Sequence, residues 1–190
     1  MKKKKPVVTY LVSGDSTISP GDRILKRSRR NVRYDTQVNR SAATAMKAGS
    51  RYVVIAHGNP DGTVMWFRSD SPPASPWLWS PMANPPKKAR IYLYSCHAGK
   101  ELPRFLKSCE CFGHTNVVPT LIGGANDVVL RYLNEVPRLM ESSTYNAKDW
   151  RAHLGRFVND ALVREVQNST AILAVYKLLM LRKSLGNFDG

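Results

Sequence analysis

The sequence predicts an α/β fold built on a mostly parallel sheet. Three observations lead there. Apolar, β-branched runs at Val7 to Val12, Tyr52 to Ala56 and Ala89 to Ser95 are separated by segments of helical or turn character. Two of these runs end in the same way, one at His57-Gly58 and the other at Cys96-His97-Ala98-Gly99. The last third of the chain reads as helix throughout. Strands alternating with helices imply a sheet covered on both faces, that is, three layers. At 190 residues the chain suits one domain, 1–190, with an α/β core over 1–140 and C-terminal helices over 141–190.

Taken in order, Val7 to Val12 lies between Pro6 and Gly14 and reads as a first buried strand. Residues 15–33 are rich in Ser, Gly and basic side chains. The run Lys26, Arg27, Arg29, Arg30 and Arg33 is either a phosphate-binding patch or a solvated face. Thr36 to Lys47 places Val38, Ala42, Ala45 and Met46 near a 3.6-residue period before Gly49, which predicts a helix and its stop. Tyr52 to Ala56 is the second strand. Asn59-Pro60-Asp61-Gly62 then signals a turn, and Thr63 to Phe67 a return strand of a hairpin.

Ser69 to Lys88 carries Pro72, Pro73, Pro76, Pro81, Pro85 and Pro86 around Trp77 and Trp79. So many prolines predict a long loop with no regular element, serving as a surface insertion or as the wall of a substrate groove. Ala89 to Ser95 is the third strand. Glu101 to Ser108 reads as a short helix with Pro103 in its first turn, and Asn116 to Ile122 as a fourth strand stopped by Gly123-Gly124. Val128, Leu130, Leu133 and Val136 form a helical stripe within Asp127 to Met140, disturbed at Pro137. Lys148 to Val166 and Thr170 to Leu185 complete the helices.

Composition bounds the partners. Hydrophobic residues make up 43%, an ordinary globular value. Twenty-nine Lys and Arg against 14 Asp and Glu give a formal net charge of +15, which favours nucleic acid, anionic lipid or an acidic protein as partner. The three cysteines, Cys96, Cys109 and Cys111, do not form a secreted disulfide framework. Cys109 and Cys111 have only His114 nearby, so a zinc site there lacks a fourth ligand and no metal is expected. Lys2 to Lys5 resemble the start of a signal peptide, but the apolar stretch that follows is too short for one. The most apolar stretch, Ala171 to Leu181, is interrupted by Lys177 and too short to span a bilayer. A cytoplasmic protein without a membrane span is the expectation.

The chemistry concentrates at two strand ends. A thiol needs a nearby imidazole to become a nucleophile, and N–H donors to stabilise the oxyanion that follows its attack. If the second and third strands are neighbours, Cys96 would be the nucleophile and His57 the general base and acid. The amides of Gly58 and Cys96 would be the oxyanion donors, with Gly58 allowing a carbonyl to approach the backbone closely. The competing reading makes Cys96 a buried small hydrophobe and His57 a hydrogen-bonded turn residue. His97, adjacent to the thiol, should point away from it.

VVIAHG followed by IYLYSCHAG resembles the His-Gly and Cys signatures of the caspase-like clan of cysteine peptidases, which includes caspases, legumains, gingipains, separases and the bacterial CHAT proteases. VVPTLIGGANDVVLRYLNEV is similar to the CHAT and separase pattern of strand, turn and helix-opening acid. The resemblance covers about Val7 to Met140, judged on short motifs. It implies a caspase-hemoglobinase α/β/α sandwich, His57 and Cys96 as a dyad, and hydrolysis of a protein or peptide substrate without metal or cofactor. Asp127 falls where separase-like members place an acid for a basic P1 side chain; otherwise it is a helix N-terminal Asp favoured by the dipole. By analogy the protein would be a bacterial or phage-borne defence protease switched on by a regulatory protein partner. The other reading of the sequence is a non-catalytic basic module that kept the fold and binds nucleic acid or an acidic partner.

Overall fold

A computed structural model of the chain describes residues 7–13, 31–34, 47–66, 77–79, 87–100, 109–120, 127–141, 147–168 and 171–186. The core is a five-stranded sheet in the order β2-β1-β3-β7-β8, every neighbouring pair parallel. Its strands are β1 (Val8–Val12), β2 (Asn31–Tyr34), β3 (Arg51–Ile55), β7 (Arg90–Tyr94) and β8 (Glu110–Gly113). Between β3 and β7 the chain makes a small antiparallel sheet of β4 (His57–Gly58), β5 (Val64–Trp66) and β6 (Trp77–Trp79). Among the described residues three helices follow: α1 (Val128–Glu141), α2 (Ala147–Val166) and α3 (Ile172–Gly186). No helix among the described residues is long and apolar enough to cross a membrane.

Strand alternation divides the core in two. Tyr10, Val12, Val53, Ile55, Tyr92, Tyr94 and Phe112 face one side and pack with the apolar stripes of α1, α2 and α3, centred on the fully buried Trp150. Leu11, Tyr52, Val54, Ile91, Leu93 and Cys111 face the other and are buried as well. The helices expected over 36–47 and 101–108 lie outside the described residues, apart from Lys47 itself.

Helix α1 runs through Pro137 without stopping. Proline has no N–H to donate to the carbonyl four residues earlier, Leu133. That carbonyl is satisfied from the sheet instead, by the Tyr10 hydroxyl at 3.1 Å. At the helix C-terminus the Met140 carbonyl accepts from Arg51 Nε at 2.6 Å and Arg90 Nη1 at 2.9 Å. Two guanidinium groups at the N-terminal ends of β3 and β7 thus complement the negative end of the helix dipole. The N-terminus of α1 in turn lies at the C-terminal end of the sheet.

The structure corrects two expectations and adds a strand, β2, at the end of the basic stretch 15–33. A second strand, β6, stands in the proline-rich segment: Pro76 and Pro81 flank Trp77–Trp79, leaving these β-favouring residues free to pair with β5. The last strand of the sheet is Glu110–Gly113, not Asn116 to Ile122; residues 116–120 are not strand, and 121–122 lie outside the description. Pro119 removes a ladder donor there. The backbone of 114–118 is also committed elsewhere, because Gly99 N–H donates to His114 O at 2.9 Å and His97 N–H to Asn116 O at 3.2 Å.

Candidate active site

His57 and Cys96 reach the same place because of strand register. β3 and β7 pair in parallel from Arg51↔Arg90 to Ile55↔Tyr94. Each candidate stands two residues beyond that last matched pair. The pairing extends past it, since Ala56 N–H donates to Tyr94 O at 3.3 Å. Cys96, two residues past Tyr94, falls on the face packed by the helices, and His57 opens β4 of the small antiparallel sheet. Cys96 packs against that cluster while remaining partly exposed. Ile55, Ala56, His57, Tyr94, Cys96, Val118, Pro119 and Thr120 line one small cleft, open to solvent.

Gly58 joins the two halves. A Cβ built on it would lie 1.9 Å from the Cys96 carbonyl oxygen and 2.6 Å from Ser95 Oγ, so only a residue without a side chain fits. The peptide after the histidine is therefore in direct contact with the peptide of the cysteine.

The thiol has partners that the sequence did not disclose. Val118 N–H donates to Cys96 Sγ at 3.5 Å, and the Val118 carbonyl lies 3.9 Å from the sulfur. Val118 is held by its neighbour, for the buried Tyr94 hydroxyl donates to Pro119 O at 2.7 Å. Burial first, then the neighbouring Tyr132, Cys96 and Asp127, push the Tyr94 phenol well above its ordinary value and keep it a neutral donor. The signal for this wall was Pro119, which marks a segment unable to complete a strand.

His97 takes a left-handed backbone conformation, φ 57°, uncommon outside glycine. Its Nδ1 donates to Thr115 O at 3.2 Å, which draws the ring towards that segment, and it is not among the cleft residues. The turn that ends β7 thus sends one imidazole away while the other, from β4, lines the cleft.

Asp127 is a helix cap. Its Oδ1 accepts from Val129 N–H at 2.8 Å, and its Oδ2 is paired with Lys177 of α3, both side chains being about 95% buried. It does not line the cleft. A role towards a basic P1 residue would have to displace that lysine. His114 is fully buried; its Nε2 lies 2.6 Å from the Tyr92 hydroxyl, which is 2.8 Å from that of Tyr132. Burial depresses its pKa from 6.5 to about 3, so the ring is neutral. Of the basic run, Lys26 to Arg30 lie outside the described residues, and the Arg33 side chain is not described. Among the described residues no group of three or more His, Cys, Asp and Glu is arranged to hold a metal ion.

Comparison with protein-family models, with curated proteins and with solved structures finds no match to this chain.

Proposed function

We propose that the protein is a cysteine hydrolase acting on protein or peptide substrates, with Cys96 as nucleophile and His57 as general base and acid. The observation that carries this reading is that both residues line one cleft at the C-terminal ends of adjacent parallel strands, beside the close approach of Gly58 to the Cys96 carbonyl. Open α/β sheets present their reactive groups at such strand ends. His57 takes the thiol proton as Sγ bonds to the substrate carbonyl carbon. The oxyanion is received by the amides of Gly58 and Cys96. His57 then gives its proton to the leaving amine, and the C–N bond breaks to leave an acyl thioester. Water, deprotonated by His57, attacks that thioester and releases the acid and the thiolate, which is reprotonated. The caspase-like resemblance of the two motifs supports the same assignment, and with it a caspase-hemoglobinase type of sandwich.

The test is hydrolysis of a mixed peptide library by the protein, with Cys96→Ala and His57→Ala beside it. Loss of at least about a thousandfold in each variant is expected for members of one catalytic unit. Equal cleavage by all three proteins removes the dyad. A basic nucleic-acid-binding module remains the second reading, motivated by the net charge of +15. It predicts nucleic-acid retention in a gel shift that weakens steeply with salt, and negligible retention at low salt disposes of it.

A further inference from the structure

The C-terminal helix carries a face that the described residues leave uncovered. α3 (Ile172–Gly186) reads ILAVYKLLMLRKSLG, apolar nearly all round, a composition expected of a helix packed on every side. One side does pack: Lys177, Leu178, Leu181, Ser184 and Leu185 are buried. The opposite side exposes Ile172 at 78%, Tyr176 at 60% and Leu179 at 49%, with Lys183 also exposed. These four stand at i, i+4, i+7 and i+11, the spacing of a coiled-coil seam. Leu173 is exposed at its edge, and Val163 and Val166 are exposed at the adjoining end of α2.

We propose that this seam is the docking site of a helix from a protein partner, apolar along its stripe and acidic opposite Lys183. The charges on α3 choose the occupant. The helix contains Lys177, Arg182 and Lys183 and no acidic residue. Lys177 is already paired with Asp127 on the inner face, which leaves Arg182 and Lys183 exposed at the outer end. A second copy of the chain docked in parallel would bring Lys183 against Lys183; docked antiparallel, it would set Lys183 against Ile172. On α3 itself neither arrangement supplies a counter-ion for that ammonium group. A partner carrying Glu or Asp at that position satisfies it, and a tyrosine in the middle of an apolar stripe is a favourable anchor for such a contact. The inference does not rest on the hydrolase reading, because it concerns a different surface and is read out by binding.

The test uses the full chain and two designed peptides of about three heptads. They share one apolar stripe and differ in having Glu or Lys at the flanking positions. The Glu peptide should bind, and the double variant Tyr176→Ser, Leu179→Ser, whose charge is unchanged and whose sites are exposed, should bind it at least about tenfold more weakly. Lys183→Glu should weaken the Glu peptide and strengthen the Lys peptide. Failure of the Glu peptide to bind, or equal binding by the serine variant, overturns the proposal. So does a dimer in sedimentation that Leu179→Ser dissolves, which would give the face to a second copy. Co-sedimentation with anionic vesicles that the serine variant abolishes and the Glu peptide leaves undisturbed would give it to a membrane surface, and likewise overturns the proposal.

Discussion

Gly58 has no room for even one methyl group, because the Cys96 carbonyl oxygen occupies the place a Cβ would take. Gly58→Ala must therefore push the β4 peptide away from the cysteine. We expect loss of hydrolysis by at least about a hundredfold, as for a misplacement of about 1 Å in a catalytic group, with stability lowered by about 1–3 kcal/mol from overpacking. Library hydrolysis and urea melts check both. Full activity in Gly58→Ala would show that this approach does not hold the site together. Ser95 gives the opposite expectation. Its hydroxyl is buried and has no hydrogen-bond partner among the described residues. Removing it in Ser95→Ala discards an unsatisfied polar group, so stability should stay the same or rise by up to about 1 kcal/mol. A large loss of stability in the melt would mean that the hydroxyl has a partner.

At the scale of elements, what could be read from the chain depended on length and pairing. β1, β3 and β7 are runs of apolar residues buried on both faces, and such runs announce themselves. The strands β2, β6 and β8 have four, three and four residues. Segments that short carry too little periodicity to stand out, and β6 was further hidden by prolines that flank it without entering it. Residues 116–120 misled in the other direction: their β-branched composition is real, but Pro119 and the bonds to the Cys96 turn take the backbone away from a ladder. Pro137 misled for a comparable reason, since the hydroxyl that compensates for it comes from Tyr10, far away in sequence. That compensation is testable. Tyr10→Phe should cost about 1–2 kcal/mol by stranding the Leu133 carbonyl. In a Pro137→Ala background, where residue 137 can donate to that carbonyl itself, the same change should cost measurably less. Equal costs in a double-mutant cycle would show the two residues to be uncoupled.

For the whole molecule, the His114 network makes stability depend on pH. The ring titrates at about 3 when folded and near its ordinary 6.5 when unfolded. Between these values the unfolded chain binds the extra proton. Stability should hold above pH 6.5 and fall as the pH drops towards 3. From pH 6.5 to 5 this histidine alone accounts for roughly 2 kcal/mol. Urea titrations should show that slope in the wild type and its absence in His114→Gln; identical slopes would place the titration elsewhere. The same scale shows how the candidate site was legible before its surroundings were. His57 and Cys96 are marked in the sequence because each follows an apolar run at an equivalent position, and parallel register turns that likeness into proximity. Val118, Tyr94 and the Lys177 partner of Asp127 were not marked, because each acts through a contact made only when distant segments pack.

The central claim is that His57 activates the sulfur of Cys96. Its most direct test is the rate of iodoacetamide alkylation at Cys96 near pH 7, resolved by peptide mass mapping from the buried Cys109 and Cys111. The claim predicts fast labelling of Cys96 in the wild type and labelling slower by at least about tenfold in His57→Ala, where the group that takes the thiol proton is gone. An unchanged rate at Cys96 in His57→Ala would contradict it.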